Sequence, residues 1–375
     1  MRRLKVTHII IGLNMGGAET MLYKLLKYID HEKFDIQVIS MMGQGVYGPK
    51  IEKLGVKVHC LNMNKGMSTL TGFFRAKKLI KDTDVIQTWM YHADLFGYLL
   101  TSFSKQKKLI WGIRRNNLDP KLNKKSTMII AKINSKLSAK VDKVVSCSIK
   151  ARGTHEKFGY NAENIIVIPN GFEVDNFNRI DNAKYTVSNM PSKDKGVPYL
   201  THVGRWNNLK DYNNFIQALS IINQIDSNFH VLMAGTNIDE SNEELMQLID
   251  KFNLNDKISL LGRRDDIPTV MSASDLFVLS SIDEGFPNVV GEAMACETPC
   301  VVTDAGDSAY VVGDTGEIVP IKNSQALASG IMAMLKLSQH ERQKLGQSAR
   351  KRVLDKFDIK NVAKQFEGLY ELGGE

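Results

Sequence analysis

This sequence of 375 residues is poor in cysteine and proline and contains no long hydrophobic run. With 28 glycines, 9 prolines and 43% hydrophobic residues, it excludes a collagen-like, low-complexity or wholly disordered chain. No stretch approaches the roughly 18–20 consecutive apolar residues that cross a bilayer. The short apolar run behind two arginines at the start lacks a small-residue cleavage site. It is therefore interpreted as a buried first strand rather than a signal peptide.

The cysteine pattern argues against a metal site and against a disulfide framework. The four cysteines are Cys60, Cys147, Cys296 and Cys300. The last two are four residues apart, but Pro299 lies between them and no His/Cys pair complements them. We interpret the cysteines as small buried hydrophobic residues in a reducing cytoplasm.

Charge is distributed unevenly along the chain. The formal net charge is +8, but residues 1–180 carry 30 Lys and Arg against 14 Asp and Glu. Residues 181–375 are acidic overall, so the net charges of the two parts are +16 and −8. A basic half predicts an anionic partner, which could be nucleic acid, a membrane surface or a phosphorylated substrate.

Short apolar runs alternate with longer helical patterns, and most of the runs are continuous and rich in Val and Ile. Such runs are typical of strands buried on both faces of a parallel sheet. The predicted strands are Val6–Ile11, Asp35–Ser40, Val56–Leu61, Asp84–Thr88, Lys108–Ile113, Lys143–Cys147, Ile165–Ile168, Tyr199–Val203, Phe229–Ala234, Ile258–Leu261, Asp275–Leu279, Cys300–Thr303 and Glu317–Val319. The predicted helices include Ala18–Tyr28, Thr71–Lys81, Tyr212–Gln224, Asn242–Phe252 and a tail from Ser338 to Tyr370.

The alternation stops in the polar stretch 173–198, which is interpreted as an interdomain connection. The pattern thus predicts an α/β protein with two doubly wound parallel sheets. Because ligands of such sheets bind at the carboxyl ends of the strands, we expect the site in a cleft between the domains.

Two loops combine glycine with positions suited to phosphate. The first strand runs into Gly12–Gly17 and then a helix, a pattern that suits close approach of a ligand or only a tight turn. In the second half, Gly204 ends a strand, Arg205 follows at once, and Lys210 stands just before the next helix. Two cations on one strand-to-helix loop suit a diphosphate, although solvated loop cations are also common.

A third loop, DEGFPNVVGEAM at 283–294, carries two carboxylates. Glu284 lies on the loop and Glu292 one turn into the helix that begins near Asn288. Carboxylates accept hydrogen bonds from sugar or ribose hydroxyls, and the free N–H groups behind Pro287 could point the same way. The alternative is that Glu284 caps the loop and Glu292 lies on the helix surface.

These loops, taken in order, resemble a known family. GGAE behind the first strand, IPNGF at 168–172, HVGR followed by Lys210, and EGFPNVVGEAMACETPCVVTDAG resemble the motifs of retaining glycosyltransferases of the GT-B fold, family 4. The resemblance covers essentially the whole chain. It implies two Rossmann-like domains facing across a cleft. Residues 1–180 would form the acceptor-binding domain and 181–355 the nucleotide-sugar domain, with a helix in 356–375 crossing back.

The resemblance also implies a role for each matching residue on the donor side. Arg205 and Lys210 would hold the diphosphate and stabilise the charge of the leaving group. Glu284 would contact hydroxyls of the donor sugar and Glu292 those of the ribose. Other donor-binding positions implied are Gly16, Gly17, Gly204, Gly262, Arg263 and the loop Gly285, Phe286, Pro287, Asn288 and Val289, with backbone N–H groups of Phe286, Asn288 and Val289 helping Glu284.

The resemblance is less definite on the acceptor side. His92, in TWMYHADLFGYLL, corresponds to a histidine that reaches the donor sugar, with a polar loop residue as the alternative. Arg114 and Arg115 would meet acceptor phosphate or are solvated. Asn170 would lie near the acceptor or only set a turn.

The implied chemistry is retaining transfer of a hexose by front-face displacement, in which the donor phosphate accepts the acceptor's proton. Neither a general base nor a metal is then needed, and no Asp-x-Asp stands on a loop behind a strand. We expect no cofactor besides the nucleotide sugar, for which UDP is preferred on family prevalence. Glu284 is not expected to be a nucleophile, in contrast to a glycosidase carboxylate.

The basic half contains a repeat of its own. In Lys121–Lys143, Ile129, Ile133, Leu137 and Val141 recur every four residues, and Lys132, Lys136 and Lys140 border them. On a helix this makes an apolar stripe edged with lysines, which suits an anionic membrane surface or packing on the sheet. Phe73–Lys78 adds a second basic and aromatic cluster. We therefore expect a cytoplasmic enzyme, peripheral on the inner face of the membrane, with a glycan or polyprenyl-diphosphate-linked acceptor.

Other functions stay open at this point. A UDP-sugar 2-epimerase-like enzyme would share the fold. A basic, non-catalytic protein that binds membrane or nucleic acid would use the first half, although no nucleic-acid motif supports it. A non-catalytic partner of a glycan assembly complex is a third alternative.

Overall fold

The structure, a computed structural model, describes residues 2–63, 67–102, 107–121, 123–187 and 196–371. The chain folds into two units. The first is formed by Met1–Gly171 together with Ile359–Glu375, and the second by Phe172–Asp358.

The first unit is built on a seven-stranded parallel sheet of order β3-β2-β1-β4-β5-β6-β7. The strands are β1 Leu4–Ile10, β2 Phe34–Ser40, β3 Lys57–Cys60, β4 Val85–Trp89, β5 Lys108–Ile113, β6 Lys143–Ser146 and β7 Ile165–Val167. The helices are α1 Gly17–Tyr28, α2 Gly48–Glu52, α3 Met67–Leu79, α4 Tyr91–Thr101, α5 Lys125–Leu137, α6 Ile149–Phe158 and, from the end of the chain, α14 Ile359–Glu371.

The second unit repeats the pattern with a six-stranded parallel sheet of order β10-β9-β8-β11-β12-β13. The strands are β8 Tyr199–Val203, β9 His230–Ala234, β10 Ile258–Leu260, β11 Leu276–Leu279, β12 Cys300–Thr303 and β13 Gly316–Val319. The helices are α7 Tyr212–Ile225, α8 Glu243–Lys251, α9 Ile267–Ser272, α10 Asn288–Ala295, α11 Ser308–Val312, α12 Ser324–Lys336 and α13 Gln339–Phe357.

The predicted fold class is confirmed, because both sheets are parallel and carry helices on both faces. Every predicted strand is present with its ends shifted by no more than two residues. The strands formed because their continuous apolar runs are buried on both sides, as in β4, β8 and β11, where every residue is buried. The right-handed connection between parallel strands then fixes the face on which each helix lies.

In the first unit this rule produces two helix layers. Helices α3, α4, α5 and α6 contact one another in sequence on one face, and α1 contacts α14 on the other. The returning helix α14 buries Phe366 and Tyr370 in the same core as α1. Helix α14 can pack there because residue 171 is glycine: a Cβ at Gly171 would lie 2.6 Å from the Cα of Ile359, the first residue of α14. None of the helices that the structure describes is long and apolar enough to cross a membrane.

The unit boundaries differ from the predicted ones at 180/181 and 355/356. Phe172 already belongs to the second unit, where its ring stacks on Phe286 and its N–H donates to the carbonyl of Phe357 at 2.8 Å. In the polar stretch 173–198, Arg350 Nη1 donates to the carbonyl of Phe177 at 2.8 Å, and Ala183 packs in a small core of the second unit. The described part of this stretch is thus folded onto that unit. Residues 188–195 lie outside the described residues.

Helix α5 is shorter than the lysine-edged repeat. It ends at Leu137, and a turn of 3-10 helix covers Ser138–Lys140. The helix stops because Asp142 already hydrogen-bonds the backbone of Leu109, next to the pairing of β6 with β5. Val141 is therefore buried outside the helix.

Candidate active site

The site in the second unit lies where the strand order reverses. Strands β8 and β11 are hydrogen-bonded neighbours, but their connections leave in opposite directions, to β9 and to β12. At such a switch point the loops behind the two strands diverge and leave a crevice at the carboxyl edge. The loop behind β8 holds Gly204, Arg205 and Lys210, and the loop behind β11 holds Glu284 and leads into α10. The fold therefore brings together the residues that the sequence singled out.

The central contact of this site is an ion pair. Lys210 Nζ lies 2.6 Å from Glu284 Oε1, and the two side chains are 17% and 15% exposed. Ser281 Oγ donates to the same Oε1 at 2.7 Å. The candidate diphosphate lysine and the candidate sugar carboxylate are thus bonded to each other in a largely buried position, whereas Arg205 is exposed.

Backbone contacts hold the two loops against each other. Ser280 Oγ donates to the carbonyl of Lys210 at 2.6 Å, and the N–H of Ile282 donates to the carbonyl of Leu209 at 2.8 Å. Gly306 lies against the backbone of Glu284. A Cβ there would be 2.0 Å from the Glu284 carbonyl oxygen, and its φ of +55° favours glycine. The ion pair is therefore positioned from three loops.

Helix α10 presents its N-terminus behind Glu284. Pro287 is the N-cap and provides no side-chain cap, with Asn288 and Val289 as the first helical residues. The N–H of Asn288 donates to the carbonyl of Phe286 at 3.0 Å. The ring of Phe286 is buried against Phe172, so a ligand can meet Phe286 only through its backbone. Gly285 lies in the same loop, half-buried.

Glu292 lies in the second turn of α10 and is half-buried. Its neighbour Gly291 allows close packing, since a Cβ there would be 2.1 Å from the ring of Phe172. This packing holds α10 against Phe172 and so fixes the position of Glu292 relative to the loop of Glu284.

Three glycines line the carboxyl edge towards β10. A Cβ on Gly235 would be 1.9 Å from the Gly204 carbonyl oxygen, and the N–H of Gly235 donates to the carbonyl of Gly262 at 2.8 Å. The loops behind β8, β9 and β10 thus touch through backbone. Arg263, next to Gly262, is exposed. The sequence analysis did not single out Gly235, although a glycine directly after strand β9 is typical of a loop at the carboxyl edge of the sheet.

The first unit has its own switch point, between β1 and β4. Gly16 is the N-cap of α1 and Gly17 its first residue, and a Cβ on Gly17 would meet open space. Behind β4, His92 is the second residue of α4 and is half-buried, and burial lowers its pKa below the ordinary value. The N-cap Met90 has φ +77° and ψ 155°, a backbone strained for a residue with a side chain. The structure thus places Gly16, Gly17 and His92 on neighbouring loops of one sheet edge.

Asp94, which the sequence analysis missed, lies buried beneath His92. Its Oδ1 accepts from Thr88 Oγ1 at 2.5 Å and from the N–H of Gly112 at 3.3 Å. Burial raises the pKa of this carboxyl to about 7. Asp94 therefore ties the strained loop that carries His92 to β4 and β5.

Arg114 and Asn170 contact each other, whereas Arg115 lies apart. Arg114 Nη1 donates to Asn170 Oδ1 at 2.9 Å, and its guanidinium stands 4.4 Å from the centroid of the Trp89 ring. Asn170 is buried. Arg115 is exposed and donates to Asn123. Arg114 is thus engaged by an aromatic ring and an amide rather than simply solvated.

Comparison with known families agrees with this organisation. The family model described as Glycosyltransferase Family 4 matches residues 15–176, and the model described as Glycosyl transferases group 1 matches residues 186–352. Together they match most of the chain. The chain belongs to the group 1, family 4-type glycosyltransferases.

This glycosyltransferase is similar over most of its length to solved structures and curated proteins. Its fold matches the crystal structure of Anabaena HepE in complex with UDP, with a TM-score of 0.85, 21% identity, and coverage of 98% of this chain and 100% of that chain. The fold is therefore that of GT-B. The N-acetyl-alpha-D-glucosaminyl L-malate synthase of Bacillus anthracis is 28% identical over 52% of this chain, and the chain spans only 52% of that synthase.

A relative that acts on a lipid-linked substrate covers more of the chain. The UDP-Gal:alpha-D-GlcNAc-diphosphoundecaprenol alpha-1,3-galactosyltransferase of Escherichia coli is 23% identical over 80% of this chain and 80% of its own length.

Proposed function

We propose that this glycosyltransferase moves a hexose or N-acetylhexosamine from a UDP-sugar to a glycan or lipid-linked acceptor in cell-surface polysaccharide synthesis, with retention of the anomeric configuration. The observation that carries the proposal is the Lys210–Glu284 pair at the switch point of the second unit, directly before the N-terminus of α10. This arrangement supplies a cation, a hydroxyl acceptor and the N-terminus of a helix in one crevice, and these suit the diphosphate and the hydroxyls of a nucleotide sugar.

The donor is held in the second unit. Arg205 and Lys210 bind the two phosphates, with Gly204 allowing the backbone to approach. Gly262 and Arg263 meet the base, and Glu292 accepts hydrogen bonds from the ribose. Glu284 accepts hydrogen bonds from the sugar hydroxyls, with the loop Gly285–Val289 beside it.

The ion pair opens when the donor binds. Lys210 exchanges the Glu284 carboxylate for a phosphate oxygen, and Glu284 exchanges the ammonium for sugar hydroxyls. Both side chains are already largely withdrawn from water in the pair, so each meets the ligand at low cost in desolvation. A diphosphate that leaves gains negative charge, and a cation already aimed at it stabilises the transition state more than the ground state.

Retention follows from front-face displacement. The acceptor hydroxyl attacks the anomeric carbon as the bond to the UDP oxygen breaks, and its proton passes to the leaving phosphate. In this proposal Glu284, whose Oε1 accepts from Lys210 and Ser281 before the donor binds, is a binding group and not a nucleophile. His92, Gly16 and Gly17, on neighbouring loops of the first unit, are the residues of that unit that we propose to take part in transfer.

Cations and the helix N-terminus replace a metal in this proposal. Within the described residues, no group of three or more His, Cys, Asp or Glu is placed to hold a metal ion. The charge of the diphosphate is neutralised by Arg205, Lys210 and the partial positive charge of α10. The expected behaviour is full activity in the presence of a chelator.

The names of the relatives support the choice of substrates. HepE was crystallised with UDP, and the Escherichia coli enzyme uses UDP-Gal and a diphosphoundecaprenol-linked acceptor by name. The acceptor is proposed to bind the first unit, where Arg114, Arg115 and Asn170 follow β5 and β7. A 2-epimerase of the same fold would release no new glycoside, which separates the alternatives by product.

The first unit also offers a surface for an anionic membrane. On α5, Ile129 and Ile133 are 61% and 41% exposed, whereas Leu137 packs against the core under the sheet and Val141 is buried in it, so the exposed part of the apolar stripe is its first half. Lys132, Lys136 and Lys140 beside it are exposed too. A helix face of this composition favours the interface of a bilayer with negatively charged headgroups.

The neighbouring helices of the same layer extend that surface. On α3, Met67, Leu70 and Phe74 are 78%, 56% and 62% exposed, and on α4 Leu99 is 48% exposed. Helices α3, α4 and α5, all described, contain one acidic residue, Asp94, and it is buried. We name the exposed apolar and basic residues of these three helices the basic-apolar face.

The basic-apolar face adjoins the acceptor edge of the sheet. Helix α5 reaches the start of α4, since Asn134 Nδ2 donates to the carbonyl of Tyr91 at 2.9 Å, directly before His92. Docking of this face would bring that edge to a lipid-linked substrate, and the protein would be peripheral on the cytoplasmic side of the membrane.

The proposed function is tested by a donor screen with extracted lipid-linked acceptors. The expected result is free UDP and a new glycoside in equal molar amounts. UDP release without a glycoside, or a 2-epimer of the donor, would overturn the proposal.

A further inference from the structure

A cavity of about 320 Å³ lies between the loop that carries Arg205 and Lys210 and the helices α7 and α8. Its polar and aromatic lining is formed by Trp206, Asn207, Asn208, Asp211, Asn213 and Glu244. The volume falls in the range of small-molecule sites, about 300–1,000 Å³. All of these residues belong to the second unit, so the cavity is complete within it.

The aromatic part of the cavity is held rigidly. The indole of Trp206 stacks on the ring of Tyr212 with centroids 4.9 Å apart, and its Nε1 donates to Glu244 Oε2 at 3.3 Å. Its backbone N–H donates to the carbonyl of Thr236 at 2.9 Å. A fixed, partly exposed indole is a platform on which an apolar ring face can rest.

The polar part of the cavity has an unusual composition. Three amides and two carboxylates surround the indole, and none of the lining residues that the structure describes is basic. Amides both donate and accept, and carboxylates accept, so the set matches a ligand with many hydroxyl groups. A phosphate or another anion would be repelled.

We propose that this cavity binds a saccharide unit, with the apolar face of the sugar on Trp206 and its hydroxyls on Asn213 and Glu244. The inference rests on the proposed function, because the saccharide is then a unit of the glycan that the enzyme extends. The site differs from the donor site, because the cavity is lined by neither Lys210 nor Glu284.

The position of the cavity predicts a link between glycan binding and transfer. In residues 204–211, Lys210 meets Glu284 in the crevice, whereas Trp206, Asn207 and Asn208 line the cavity. A saccharide held on Trp206 restricts this loop and so favours the arrangement that binds the diphosphate. We expect the KM for the donor to fall when a saccharide occupies the cavity.

Tryptophan quenching reads the site directly. The chain has three tryptophans, and Trp89 and Trp111 are fully buried while Trp206 is half-buried. Acrylamide quenching of the full chain thus reports Trp206. Lactose, glucose and N-acetylglucosamine are titrated at millimolar concentration, with and without saturating UDP, and tetramethylammonium serves as a cationic probe.

The expected result is protection of Trp206 by lactose, retained in the presence of UDP. Asn213→Ala and Glu244→Gln should each weaken the apparent affinity for lactose about tenfold through a lost hydrogen bond. Gln247→Ala, an exposed residue of the same helix α8, should leave it unchanged. UDP affinity, measured without saccharide, should not change in these variants.

Three results would overturn the inference. They are no protection by any saccharide, protection that UDP-sugar abolishes by competition, and protection by tetramethylammonium alone. If the protein binds UDP but no saccharide, only this inference is overturned. If it binds neither UDP nor a saccharide, the proposed function is overturned as well.

Discussion

Lys210 and Glu284 are joined by an ion pair of 2.6 Å between Nζ and Oε1, although they are 74 residues apart in the chain. The pair lies at the switch point of the second sheet, and Ser281 holds the same carboxylate oxygen. We propose that this lysine meets a phosphate of the donor in the same crevice. Under that proposal, the pair links the fold of the second unit to the transfer reaction.

Removing the cations should abolish transfer. For Lys210→Ala we expect kcat to fall at least about 10²-fold, because a preorganised charge at the leaving group is lost. Arg205→Ala with Lys210→Ala should leave no measurable turnover. Initial rates with UDP-sugar and acceptor measure both variants.

Lys344→Ala is the matched control for the cations. Lys344 is exposed on α13 of the same unit, so the change in net charge is equal to that of Lys210→Ala. Wild-type turnover in Lys210→Ala would contradict the diphosphate role.

Glu292 should matter for nucleotide affinity rather than for stability. Glu292→Ala is expected to weaken UDP binding roughly 10–100-fold, the loss typical of hydrogen bonds to a charged group, about 1.5–3 kcal/mol. Calorimetry with UDP measures the effect, and Asp355→Ala, an exposed carboxylate of α13, should bind as wild type does. Undiminished affinity in Glu292→Ala would refute the ribose role.

Asp94 should make the stability of the first unit depend on pH. Its pKa is raised from 3.8 to about 7 by burial, so the folded state prefers the protonated carboxyl. The associated stability is fully present below pH 3.8 and is lost as pH rises through about 7. Asp94→Asn keeps an oxygen acceptor for Thr88 and Gly112 but cannot ionise.

Urea unfolding of wild type and Asp94→Asn between about pH 5 and 7 measures this effect, since the titration of the histidines is common to both proteins and cancels in the comparison. The free energy of unfolding of wild type should fall relative to the variant by on the order of 2 kcal/mol over this range. Parallel pH curves for the two proteins would show that Asp94 does not titrate there.

Gly306 should be intolerant of a side chain. Gly306→Ala places a Cβ against the Glu284 carbonyl at a positive φ, so we expect it to displace the loop of Glu284 and to lower both transfer and thermal stability. Gly368→Ala, where a Cβ meets open space within α14, should be neutral or stabilising by up to about 1 kcal/mol. Equal behaviour of the two variants in a thermal melt and a rate assay would rule out the steric argument.

The basic-apolar face should direct the protein to anionic vesicles. Replacing Lys132, Lys136 and Lys140 by Glu removes an attraction worth about 1 kcal/mol per lysine and adds repulsion, so sedimentation with phosphatidylglycerol vesicles should fall more than tenfold. The same exchange at exposed residues of the second unit, Lys336, Lys344 and Lys356, is the control. An equal loss in both triple variants would indicate a general charge effect and no specific face.

The sequence predicted the sheets well because their strands are buried on both faces. An uninterrupted apolar run such as Leu276–Leu279 by itself predicts a buried strand. Glycine, proline and polar residues mark the ends of such runs. The loops of Gly204 and Glu284 were predicted as site loops for the same reason, since they directly follow such strands.

Contacts between distant residues could not be predicted in this way. Nothing local shows that Lys210 bonds Glu284, that Gly306 makes room for the Glu284 backbone, or that Arg114 stands over Trp89. Periodicity also extended helix α5 too far, because it does not weigh the competing pairing of β6 with β5. Strand pairing and side-chain contacts between loops are tertiary contacts. A single sequence shows which residue types are present but not which of them meet.

The most direct test is the ¹H NMR spectrum of the product formed from an α-linked UDP-sugar and an extracted lipid-linked acceptor. The proposal predicts an α-glycoside, identified by its small anomeric coupling, and one equivalent of UDP, with neither formed by Lys210→Ala. A β-glycoside, or a 2-epimerised sugar with no glycoside, would contradict retaining transfer at the Lys210–Glu284 site.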